Sequence, residues 1–138
     1  MKKSIFLLAL IVVFSSCNGT KKTTEVATNE IPSGKYEIKS IQGVPVYKMS
    51  FDIDTSENKI SGKTNCNTYS GNFSITNNEI KIGSLVATKM YCEEHVMKEE
   101  QNLFKAFSNA KTFMFDNNMF TLSSEEGILL RAYRLVKK

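Results

Sequence analysis

The chain has 138 residues, 18 Lys and Arg against 14 Asp and Glu, and 41% hydrophobic residues. That length suits one domain with a modest core, and a formal charge of +4 dispersed among acids is not the clustered basic patch of a nucleic-acid binder. One histidine, three cysteines and no C-x-x-C motif make a zinc centre an unfavoured reading.

Lys2 and Lys3 open the chain, followed by an apolar run from Ile5 to Phe14 and two small residues, Ser15 and Ser16. The run is too short to span a bilayer as a helix, and the pattern reads as a secretory signal. Phe14-Ser15-Ser16-Cys17 resembles a bacterial lipobox, with phenylalanine where leucine is usual. The resemblance implies diacylglycerol attached to the Cys17 sulfur and cleavage just before it. Residues 1–16 are therefore expected to be a lipoprotein signal peptide. Their removal takes two lysines and no acid, lowering the charge to +2. Residues 17–31 are polar, without apolar period, and read as a flexible tether. The folded domain is expected over 32–138. The expected partner is a membrane, reached through a lipid anchor at Cys17, with the domain outside the cytoplasm in the bacterial envelope, at the outer membrane.

Period-two alternation dominates the rest. Tyr36 and Ile38 form one set, Met49, Phe51 and Ile53 the next, and a turn follows at residues 54–58. Ile60, Gly62, Thr64 and Cys66 share one parity, so a strand puts Cys66 on the face of Ile60. Tyr69, Gly71, Phe73 and Ile75 alternate before an Asn77-Asn78 turn, then Ile80 and Ile82. From Glu93 to Ala110 the period changes: Val96, Leu103, Phe104 and Phe107 recur at helical spacing, with Glu93 and Glu94 at the start. Phe113 and Phe115, Asn117-Asn118, then Phe120 and Leu122 predict a hairpin, and Ile128 to Val136 a last strand apolar on both faces. The pattern predicts an α+β fold, a mainly antiparallel curved β-sheet packed on one α-helix.

Few residues offer chemistry. His95 stands among Glu93, Glu94, Glu99 and Glu100 without a nucleophile beside it in sequence, which favours a solvated helix end over a catalytic pair. Asp52-x-Asp54-x-Ser56-x-Asn58 lacks the glycine and closing glutamate of a calcium loop and reads as a hairpin turn. No phosphate-cradling glycine loop appears. Neither metal nor cofactor is expected. Cys66 could be a nucleophile, a metal ligand, a disulfide partner or plain core. With Cys17 lipidated, Cys66 and Cys92 are the remaining thiols of an exported chain, which favours a disulfide between them over two buried free thiols.

Asn65-Cys66-Asn67 with Tyr69, Gly71 and Phe73, then Thr88-Lys89-Met90-Tyr91-Cys92 before an acidic helix, resembles the META domain family, which includes the HslJ-type heat-shock proteins. That family runs roughly Gly-Cys-Asn-x-Tyr-x-Gly-x-Tyr, then Thr-x-Met-Ala-Cys, then a helix and a closing hairpin. The similarity spans residues 34 to 136. Asn65 replaces the glycine, Tyr91 the alanine, and Tyr36 the usual first-strand tryptophan. Asn67, Tyr69, Gly71, Thr88 and Met90 match the motif. The resemblance implies a small envelope domain linked to heat shock, antibiotic resistance, motility or secretion, and carries no catalytic mechanism. The expectation is a non-enzymatic envelope lipoprotein acting as an interaction or stress-tolerance module, with an unidentified envelope protein as partner. A binder of small molecules or peptides on the sheet face comes second, and a thiol redox protein third.

Overall fold

The computed structural model describes residues 30–136. Cys17, the signal peptide and most of the tether lie outside the described residues. Ten strands and one helix follow in order: β1 (Gly34–Ile41), β2 (Val44–Pro45), β3 (Ser50–Asp54), β4 (Lys59–Lys63), β5 (Thr68–Thr76), β6 (Glu79–Ile82), β7 (Val86–Ala87), α1 (Glu94–Asn109), β8 (Thr112–Asp116), β9 (Met119–Ser124) and β10 (Gly127–Arg134).

The expectation of an α+β curved sheet packed on one helix is overturned. β1 pairs antiparallel with β3 on one side and with β10 on the other, so the sheet closes on itself. The result is an antiparallel barrel of eight strands, β1-β3-β4-β5-β6-β8-β9-β10, with β2 added to β1 and β7 to β5. Alternation reports which side of a strand is buried, but it is silent on whether the first and last strands meet. Here they do, pairing Tyr36 with Arg134 and Ile41 with Leu130. Closure leaves no long open edge to pair with another chain. The thinnest seam is β6–β8, joined at the pair Glu79–Thr112.

Inward residues fill the barrel. Tyr36 and Phe51 stack with ring centroids 5.1 Å apart, and Phe107 and Phe120 meet Phe51 edge-on at 5.8 and 5.6 Å. All four are fully buried. The helix contributes Leu103 and Phe107 to this core, while Phe104 is half-buried against Tyr69. The last strand ends at Arg134, short of Val136. A register shift between Ile128 and Leu130 turns Leu129 and Leu130 inward together, leaving Ile128, Tyr133, Leu135 and Val136 exposed.

Because every ring neighbour is antiparallel, connections segregate to two ends. One end holds the tight turns at residues 54–58, 77–78 and 117–118, with the start of β1 and the finish of β10. Asparagines supply positive φ in all three: Asn58 at 53°, Asn77 at 59°, Asn117 at 48° and Asn118 at 62°. The other end holds residues 42–49, the loop 64–67, the segment 83–111 with the helix, and the turn 125–126.

Candidate functional site

Both sequence motifs converge at the helical end. β4 stops at Lys63, so Cys66 does not continue the strand of Ile60. It sits in a loop organised by Thr64. The Thr64 N–H donates to the Asn67 carbonyl at 2.8 Å, and its Oγ1 accepts from the N–H groups of Cys66 at 3.0 Å and Asn67 at 2.7 Å. This local side-chain turn displaces the strand ladder. It brings Cys66 against the start of the helix, where it is bonded to Cys92 with Cα atoms 6.0 Å apart.

Asn67 is the buried joint beneath that bond. Its Nδ2 donates to Glu100 Oε1 at 3.0 Å. Its Oδ1 accepts from the Thr88 hydroxyl at 2.7 Å and the Met90 N–H at 2.8 Å. The Thr64 hydroxyl donates to Glu100 Oε2 at 2.6 Å, and the Thr68 N–H donates to Thr88 Oγ1 at 3.2 Å. One asparagine thus fastens the loop 64–67, the segment 88–90 and the helix. Buried polar groups persist where each finds a partner, and these do.

The remaining motif residues pack. Tyr69 is buried, donates its hydroxyl to the Ser50 carbonyl at 3.3 Å, and lies across Phe104 and Phe107. Gly62, directly opposite on β4, leaves room for that ring; a Cβ there would collide with the Tyr69 hydroxyl and the Ser50 carbonyl. Gly71 allows Leu85 to cross it: an added Cβ would lie 2.7 Å from Leu85 Cδ2. Met90 acts through its backbone, its side chain being exposed. Burial, reinforced by the Asp52 charge, holds the Tyr69 hydroxyl far above its usual pKa.

His95 is not part of this network; its Nδ1 faces Glu93 Oε2 at 3.3 Å with both side chains exposed. Asp54 caps the β3–β4 turn, accepting from the N–H and hydroxyl of Ser56 and the N–H of Glu57, and these bonds hold its carboxyl below the usual carboxylate range. Among the described residues, no group of three His, Cys, Asp or Glu side chains is arranged to hold a metal.

Sequence reasoning missed Thr64 and Glu100. Glu100 had a signal: Val96, Glu100, Leu103 and Phe107 lie on one helix stripe, and a carboxyl among apolar neighbours asks for partners.

A family model described as META domain matches residues 29–136. The chain belongs to the META domain family. No curated protein matches it. Among solved structures, an NMR structure of a protein from Burkholderia xenovorans is similar with TM-score 0.63 at 14% identity, covering 99% of this chain and 100% of that one. A second NMR structure gives 0.62 at 21%, covering 79% and 96%. A crystal structure of a DUF4847 family protein from Bacteroides vulgatus gives 0.54 at 13%, covering 77% and 94%. At these identities the likeness is one of fold.

This META domain carries its clefts on the outside. One of about 720 Å³ follows the β6–β8 seam between Ser74, Glu79, Lys81, Lys111 and Glu125. It shares no residue with the Asn67 network. What the motif residues build is a clamp: they join three segments, and both thiols are consumed in a bond.

Proposed function

We propose that the protein is an envelope lipoprotein anchored through Cys17, whose META domain is a non-enzymatic interaction module serving stress tolerance. In this reading the helical end meets an envelope protein partner. The observation that carries it is the segregation of the barrel's two ends. The chain before Gly34 leaves from the end with the tight turns, and the clamp rigidifies the opposite end. With Cys17 as the anchor, the chain enters the barrel at the tight-turn end, so that end is the nearer to the bilayer and the clamped end the farther. That end displays Tyr47 and Tyr91, 76% and 95% exposed, together with Met90. The Tyr47 carbonyl accepts from Asn65 Nδ2 at 3.0 Å, which ties residues 42–49 to the loop 64–67. Exposed tyrosines suit protein recognition, since each offers a large amphipathic contact area with only two side-chain torsions to fix on docking. A binder using the concave sheet face would need the interior, which Tyr36, Phe51, Phe107 and Phe120 fill.

Two measurements test the reading. Stable attachment needs more than one acyl chain, so the mature protein should enter the detergent phase and Cys17→Ala should release it; an unchanged mass and membrane fraction for Cys17→Ala would refute the anchor. A photo-reactive phenylalanine analogue placed at Tyr91 should crosslink in the cell to one discrete protein, and the same group at Val136 should not. Crosslinks from Tyr91 to lipid alone, or equal crosslinking from both positions, would refute the orientation.

A further inference from the structure

We infer that Cys66–Cys92 is a reversible thiol–disulfide exchange site, one that an exported dithiol can reduce while the META domain stays folded. The bond and the Asn67 network fasten the same segments. The disulfide joins the loop 64–67 to the residue before the helix, and Asn67 with Glu100, Thr64, Thr88 and Met90 joins that loop to the helix and to its approach. Cutting the covalent link therefore leaves the non-covalent one closed. The covalent tie is doubled by a hydrogen-bonded one.

The surroundings also suit the reduced state. Cys66 Sγ lies 3.4 Å from the Met90 carbonyl oxygen, an acceptor waiting for the S–H that reduction creates. That carbonyl is held in place because the Met90 N–H is bonded to Asn67 Oδ1. Access is asymmetric: Cys66 is buried, whereas Cys92 is half-buried beside the fully displayed Tyr91. An attacking thiolate of the dithiol meets Cys92 Sγ first. The Cys66–Cys92 bond breaks, and Cys66 leaves as a thiolate and takes a proton. The second sulfur of the dithiol then displaces Cys92 and closes its own disulfide. Two electrons and two protons pass from the dithiol to the pair. The exchange is independent of the anchor at Cys17, and its failure would leave the anchor and the orientation of the barrel untouched.

The test uses dithiothreitol on the purified protein in native buffer, followed by iodoacetamide. Intact mass should gain both alkyl groups while the amide NMR spectrum keeps its dispersion, with changes limited to residues 64–67 and 88–96. Collapse of the dispersion on reduction, or a bond that reduces only after denaturant is added, overturns the inference. Thr88→Val removes one donor to Asn67 at an exposed position, so the oxidised variant stays folded. When reduced, it should lose hydrogen-exchange protection over 88–96 by about tenfold relative to reduced wild type. Equal protection in the two reduced proteins would overturn the doubling on which the inference stands.

Discussion

At the scale of single residues, Asn67 sets the clearest expectation. Asn67→Ala leaves the Glu100 carboxyl, the Thr88 hydroxyl and the Met90 N–H short of a partner at once. A buried group left unsatisfied costs about 1–3 kcal/mol, so the urea midpoint should fall clearly, more than for a substitution at exposed Asn65. Tyr36 makes a second prediction, in pH. Burial pushes its hydroxyl from 10.0 up to about 12, against a smaller opposing pull from Arg134. The neutral hydroxyl donates to the Pro32 carbonyl at 2.6 Å. A raised folded pKa means stability that is complete below pH 10 and is lost as pH climbs from there towards 12. Denaturant midpoints measured across that window should slope downward, and Tyr36→Phe should flatten part of the slope. An unchanged slope in Tyr36→Phe would assign it to Tyr69, whose hydroxyl is raised in the same direction.

At the scale of elements, the helix repays attention to which side of it is covered. Leu103 and Phe107 are buried, and Phe107 reaches Phe51 and Tyr69 inside the barrel. Phe107→Ala should cost about 3–5 kcal/mol. Phe104 is half-buried, so Phe104→Ala should cost less. Equal losses in thermal or urea unfolding would contradict that ranking. The helix bounds, the asparagine turns and the inward parity of Tyr36, Ile38, Phe51 and Ile53 could all be read from spacing. The loop at 64–67 could not, because the Thr64 hydroxyl competes with the ladder and alternation has no term for it.

At the scale of the whole molecule, closure and the disulfide act on different states of the chain. The β1–β10 pairing joins the two ends of the described chain in the folded state. The disulfide closes a loop of 26 residues and acts chiefly by restricting the unfolded chain. The chain-entropy relation gives about 3.5 kcal/mol for a loop of that length. That is less than the stability of an ordinary small domain, about 5–15 kcal/mol. The reduced protein should therefore unfold at lower urea but still cooperatively, and a non-cooperative reduced transition would show that the bond, not the barrel, holds the domain together.

The sequence by itself determined the local terms: strand faces from a period of two, the helix from its 3.6-residue stripe, turns from asparagines able to take positive φ, and the family from two short motifs. Only the tertiary structure decided that the sheet closes, since pairing Tyr36 with Arg134 depends on accumulated twist and stagger that no local pattern records. It also decided what the motif is for. Asn67, Thr88 and Glu100 are far apart in the chain, and hydrogen bonding is short-ranged, so their common role appears only once the barrel has brought Thr88 and Glu100 within 3.0 Å of Asn67.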